Sequence, residues 1–126
     1  MSRANGRRKE VWLAEYLRRR GWFGAEAQRP GLPGTDILGI PGTVWESKSA
    51  KEFRPKEFVA QAKAHARRQA LAPAQFTVTP GAEPTYAPIV PIVVYWPERC
   101  GEVNAGNTLA IVPLDVMCDL LKAAGY

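Results

Sequence analysis

Apolar residues recur along the chain with two different periods, and these divide it into elements before any chemistry is considered. From Arg7 to Arg20 they return every three or four residues, placing Leu13, Ala14 and Leu17 on one stripe with Glu10. This predicts an amphipathic helix that stops at Gly21. Residues 1–9 offer little to bury and hold Arg3, Arg7, Arg8 and Lys9, so they read as a mobile basic arm running into that helix. Trp22-Phe23 and Ala25–Gln28 lead into or form a first strand, and Arg29-Pro30-Gly31-Leu32-Pro33-Gly34 reads as a loop. Two extended runs, Asp36–Ile40 and Thr43–Ser47, follow with the turn pair Pro41-Gly42 between them, which predicts a hairpin. A second helix is expected over Pro55–Leu71, with proline in its first turn and Phe58, Ala62 and Ala66 on its apolar side. Residues 72–88 are broken by Pro73, Pro80, Gly81, Pro84 and Pro88, with room for a short strand at Gln75–Thr79. Ile89–Trp96 has the composition of a buried strand, with Pro91 limiting its start. A polar connection over Pro97–Asn107, a strand at Thr108–Val112 and a helix at Leu114–Ala124 complete the chain. Asp115 is placed to support the start of that helix and Gly125 to end it. The order α-β-β-β-α-β-β-α describes one α/β domain over residues 1–126, a mixed central sheet flanked by helices.

Charge and cysteine usage narrow the class. Seventeen Lys and Arg against twelve Asp and Glu give a formal charge of +5, which suits a polyanionic partner. No apolar run reaches the roughly 20 residues a membrane helix needs, and the N-terminus lacks an apolar signal core, so the expectation is a soluble cytoplasmic protein. Cys100 and Cys118 lie far apart with no Cys-x-x-Cys spacing, and His65 is the one histidine, so free thiols are expected and a zinc site has no ligand set. Gly-rich phosphate loops of the Walker or dinucleotide type are absent, as are internal repeats.

The candidate chemistry lies in the predicted hairpin. Side chains alternate along a strand, so Glu46 and Lys48 point to one face about 7 Å apart, with Val44 beside them and Trp45 and Ser47 on the other face. Folding the hairpin brings Asp36 towards that pair. Two carboxylates and an amine then converge at a sheet edge, which suits metal-assisted phosphodiester hydrolysis: carboxylates hold a hard divalent cation, and an amine offsets charge at the phosphate. Glu-x-Lys on a strand is also a common solvated ion pair of little energetic weight.

With Gly34-Thr35-Asp36 preceding Glu46-Ser47-Lys48, the sequence resembles the PD-(D/E)xK nuclease superfamily, and within it the Holliday-junction resolvase-like endonucleases of archaea and of actinobacterial phages. Thr35 stands where the family often has proline, a departure that touches backbone shape and no ligand. The resemblance implies a restriction-endonuclease-like core and Mg²⁺-dependent cleavage of branched DNA, with Mn²⁺ substituting. It implies a homodimer working in a bacterial or phage-infected cell. Asp36, Glu46 and the backbone carbonyl of Ser47 would hold the metal. Glu10, ahead of Gly21-Trp22 as in the family's first helix, would complete or extend the site, with Glu15 as second choice. Lys48 would position the attacking water and Gln61, on the following helix, would steady it. Arg29, in a loop that lies beside the family's active site, becomes a candidate phosphate ligand with Arg7, Arg8, Lys9 and Lys51.

Each of these residues also has a plainer reading. Glu10 favours a helix N-terminus, Arg18-Arg19-Arg20 complement a helix C-terminus, and Arg29 serves as a surface arginine. His65 reads as a boundary residue, and Tyr86 either stacks on a base or pins its loop. A nucleic-acid-binding module without catalysis uses the same basic residues. A docking role for the Pro-rich segment in a larger assembly is a third reading.

Overall fold

The structure is a computed structural model that describes residues 3–49, 52–71 and 89–126. In chain order the elements are α1 (Arg3–Arg19), β1 (Glu26–Ala27), β2 (Ile37–Leu38), β3 (Thr43–Lys48), α2 (Pro55–Leu71), β4 (Val90–Tyr95), a 3₁₀ helix (Glu102–Asn107), β5 (Leu109–Ile111) and α3 (Leu114–Ala123). The expected order of helices and strands is present among the described residues. Gln75–Thr79, Tyr86 and Lys51 lie outside them.

The chain is a mixed α/β protein with a small mixed sheet flanked by helices. β3 and β4 pair in parallel, from Thr43 opposite Val90 to Lys48 opposite Tyr95, and β5 adds antiparallel to β4. α1 and α2 take opposite faces. Leu13, Ala14 and Leu17 of α1 join Trp45, Val94 and Trp96 in one apolar cluster, while Phe58 and Ala62 of α2 meet Val93 in the other. The period-two alternation of the strands is therefore visible as two separate cores. Pro91 is accommodated in the middle strand by its position. Val90 and Trp96 donate to β3, so even-numbered amides of β4 face that way. Odd ones face β5, which reaches only Val93, Val94 and Tyr95, so the donor Pro91 lacks is not missed.

Three expectations are corrected. Residues 3–9 are helical, forming the first turns of α1 instead of a mobile arm; Arg, Lys and Ala favour helix enough to carry the chain through Gly6. The two motif strands do not form a hairpin ladder with each other. β2 pairs antiparallel with β1, Glu26 opposite Leu38 and Ala27 opposite Ile37, so a separate two-stranded sheet stands beside the main one. Among the described residues the mixed sheet flanked by helices is therefore β3-β4-β5, without β1 and β2. The polar connection after β4 contains a 3₁₀ helix whose Ala105 is buried, with Gly106 pressed on Tyr16 of α1.

Asp36 joins the two sheets. Its N–H donates to the Trp45 carbonyl of β3 (2.8 Å), and its own carbonyl accepts from the Gln28 N–H beyond β1 (2.8 Å). Thr35 reinforces the join: its hydroxyl accepts from the Trp45 N–H at 2.8 Å and lies 2.9 Å from the Ile37 carbonyl, to which it donates. A second fixed point is a contact between backbones. Gly39 has φ +85°, and a Cβ there would fall 1.8 Å from the Gly24 carbonyl oxygen, so neither the conformation nor the space admits a side chain. α3, by contrast, has no buried residue, and Leu114, Leu120 and Leu121 are exposed. No helix among the described residues is long and apolar enough to cross a membrane.

Candidate functional site

The C-terminal half of β3 brings Glu46 and Lys48 to the α2 face, as the alternation requires. Lys48 Nζ donates to Gln61 Oε1 at 2.7 Å, lies 3.8 Å from Glu46 Oε2, and sits 5.7 Å from the centre of the Phe58 ring. Gln61 and Lys48 thus meet as expected. On the free edge of β3, Asp36 Oδ2 accepts the Ser47 N–H at 2.8 Å. The N–H and C=O of one strand residue point to the same edge, so the Ser47 carbonyl opens on the side where Asp36 stands. The Ser47 hydroxyl faces the other way and accepts from Trp96 Nε1 at 3.1 Å.

Glu46 is only 3% exposed. Its Oε1 is buried and has no hydrogen bond among the described residues, although His65 Nε2 is 3.2 Å away. The distance is short enough, so the missing element is alignment of the N–H with the oxygen. The His65 tautomer follows from its other neighbour. Arg68 Nη2 lies 3.1 Å from His65 Nδ1, and a guanidinium can only donate, so Nδ1 is the acceptor and the neutral ring carries its proton on Nε2. In that state His65 cannot lend Nε2 to a metal. Burial and the Arg68 charge also push the imidazole below its ordinary pKa, against the pull of Asp36.

Three carboxylates share this edge electrostatically. Burial, then Asp36, pushes Glu46 up from 4.5 to about 7, with Lys48 opposing and Glu10 adding to the rise. Burial raises Asp36 against the Ser47 N–H, Lys48 and His65. Glu10, on α1, is raised by burial and by Asp36, with Arg7 opposing. A first-helix glutamate therefore does sense the β3 edge. Among the described residues, no three His, Cys, Asp or Glu side chains form a ready-made metal cluster. The donor set still suits Mg²⁺, which is held through one or two carboxylates and keeps several waters. An unbonded buried carboxylate oxygen and mutually repelling acids are what such a cation relieves.

The pH consequence has a definite sign. Glu46 binds its proton more tightly folded than unfolded, so stability is fully present below about pH 4.5 and declines as pH rises towards about 7. The span corresponds to about 3 kcal/mol, and Glu10 and Asp36 act in the same direction. Urea unfolding in chelator should show this decline, and added Mg²⁺ should reduce it. A flat profile in chelator would mean that Glu46 is not held as described.

The expected phosphate ligands divide. Arg7 is tied down: its Nη1 donates to the Gln28 carbonyl and lies 3.6 Å from Glu10 Oε2. Arg18 likewise donates to the Ala25 carbonyl at 2.7 Å. Arg29 is exposed in the loop before Asp36. Arg8 and Lys9 line a separate surface together with Trp12 and Arg99. Sequence reasoning missed Arg68 and set His65 aside, although Gln61, His65 and Arg68 follow at four- and three-residue steps on one helical stripe. No protein-family model, curated protein or solved structure matches the chain.

Proposed function

We propose that this chain is a divalent-cation-dependent DNA endonuclease of the PD-(D/E)xK kind, acting on branched DNA as a homodimer. The observation that carries the reading is the buried Glu46 carboxylate, with an oxygen left without a hydrogen bond, on the strand that also presents Lys48. A protein that only bound DNA would gain nothing from acids collected beside its phosphate contacts. Asp36, Glu46 and the Ser47 carbonyl would hold Mg²⁺ or Mn²⁺, with Glu10 at the margin. Such a cation supplies Lewis-acid polarisation of a phosphate oxygen and a more acidic water.

The remaining work falls to side chains. Gln61 fixes the Lys48 ammonium by accepting one of its protons, leaving two others to donate to the attacking water or to a phosphate oxygen. The Phe58 ring, 5.7 Å from Nζ, adds a cation–π contact that holds the same ammonium. His65, held by Arg68, stands 3.2 Å from the Glu46 Oε1 atom. The decisive assay incubates the protein with four-way junctions, flaps, nicked duplex, linear duplex and single strands, in Mg²⁺ and in chelator. Cation-dependent cutting with preference for branched substrates is expected. Binding without cutting of any substrate under any divalent cation would overturn the assignment.

A further inference from the structure

A second cationic site lies on the opposite flank of α1. Arg8 and Lys9 stand one helical turn before Trp12, and the loop after β4 brings Arg99 and Cys100 against them around an open cavity of about 360 Å³. No carboxylate lines this cavity, and among the described residues none of Arg8, Lys9 and Arg99 has an acidic partner within ion-pair distance. Three cations are thus gathered with no acidic partner among the described residues.

Two further observations point to a ligand. Arg99 has φ +64°, the one non-glycine residue at positive φ among those described. An arginine held there stores strain that glycine would remove, and such strain collects where a side chain has a task. Trp12 is steadied from behind by Trp96, with ring centres 6.0 Å apart and planes tilted by 50°, while it also lines the cavity. The combination of anion-binding side chains with a fixed aromatic surface suits a nucleotide.

Size and place restrict the ligand further. The volume of about 360 Å³ lies near the lower end of small-ligand sites, roughly 300–1,000 Å³, which is room for one nucleotide. The loop that carries Arg99 follows Trp96, whose N–H donates to the Lys48 carbonyl at 2.8 Å, so cavity and candidate active site share one end of the parallel strand pair. We infer that this cavity holds one unpaired nucleotide of a nucleic-acid strand, its phosphate on Arg8, Lys9 and Arg99 and its base against Trp12. The inference rests on the nucleic-acid part of the proposed function and not on cleavage. A free mononucleotide offers the same chemistry, so the test must separate the two sources.

All measurements are made on the full chain in chelator, where cutting plays no part. A fluorescein-labelled oligo(dT) is the single-stranded probe, with blunt duplex and thymidine monophosphate as competitors. Arg99→Gly removes the charge and relieves the backbone, so its melting temperature should equal or exceed that of the parent. Its affinity for oligo(dT) should nonetheless fall about tenfold or more, the scale of a lost charge-assisted hydrogen bond. Its logarithmic salt slope should fall by about 0.7. Oligo(dT) should also shield Cys100 from iodoacetamide while leaving the exposed Cys118 labelled, read by peptide mass spectrometry. Unchanged affinity of Arg99→Gly, or equal labelling of Cys100 with and without oligo(dT), would overturn the inference. Displacement of the probe by the monophosphate at an affinity equal to the oligomer's would overturn its assignment to a strand. A protein that shields Cys100 and cuts nothing keeps this site and loses the nuclease reading; one that cuts without shielding does the reverse.

Discussion

Asp36→Asn is expected to abolish detectable cleavage while DNA affinity stays equal to or above that of the parent. Asparagine keeps an oxygen that can accept the Ser47 N–H, and the backbone bonds from Asp36 to Trp45 and from Gln28 to Asp36 do not depend on the side chain. What is lost is one negative charge at the edge of β3. The expected drop exceeds the roughly 10–100-fold typical of groups that merely support a metal ligand. Alanine is the less informative change, since it also strands the Ser47 amide. Removing the charge relieves Glu46, whose carboxyl should then titrate lower because Asp36 is among the causes that hold it up. Single-turnover cleavage beside DNA binding by anisotropy makes the measurement. Normal turnover in Asp36→Asn would end the nuclease assignment.

Lys48→Met carries the second large effect. Methionine nearly preserves the side-chain volume but deletes the ammonium, and with it the bond to Gln61 and the cation–π contact with Phe58. Turnover should fall by roughly 10²–10³-fold, the scale of losing one preorganised donor to a developing negative charge. Metal binding should survive, because the ammonium is not a ligand. It should, however, move to higher pH, since Lys48 is the larger of the two charges, with Arg68, that oppose the rise in the Glu46 carboxyl. Calorimetric Mn²⁺ titrations at two pH values, set beside single-turnover rates, test both halves. If Lys48 is only the surface partner of Glu46, the change costs under about 1 kcal/mol of stability and turnover stays near normal.

The helices were largely legible in the sequence, because Pro55 and Leu71 bound α2 and Gly21, at φ +113°, stands just beyond α1. β3 was legible for a similar reason: Gly42 at φ +79° fixes its start, and alternation then dictates which side chains share a face. Partner choice was not. The periodicity of Ile37 and Leu38 is the same whether they pair with β1 or with β3, and the decision falls to Thr35, whose hydroxyl occupies the Trp45 amide. A residue that reads as a mere departure from a motif thereby becomes the clip that sets Asp36 against Ser47. Arg99 was invisible for the opposite reason. Only glycine advertises a positive φ in a sequence, so a strained arginine leaves no trace there. The coupling of Glu10 to Asp36 needed the packing of α1 to become apparent, although its place on the apolar stripe was already plain.

The touching backbones of Gly24 and Gly39 turn this architecture into something that can be sought elsewhere. Position 39 rejects every side chain on steric grounds alone, whatever becomes of the chemistry three residues before it and seven after. If the proposed catalysis is this chain's, a descendant that has lost it should therefore trade away Asp36, Glu46 or Lys48 while retaining the glycine. A chain that has acquired the same carboxylates and lysine on a different scaffold has no reason to keep it. The spacing Asp-x-x-Gly-x₆-Glu-x-Lys thus separates shared ancestry from shared chemistry.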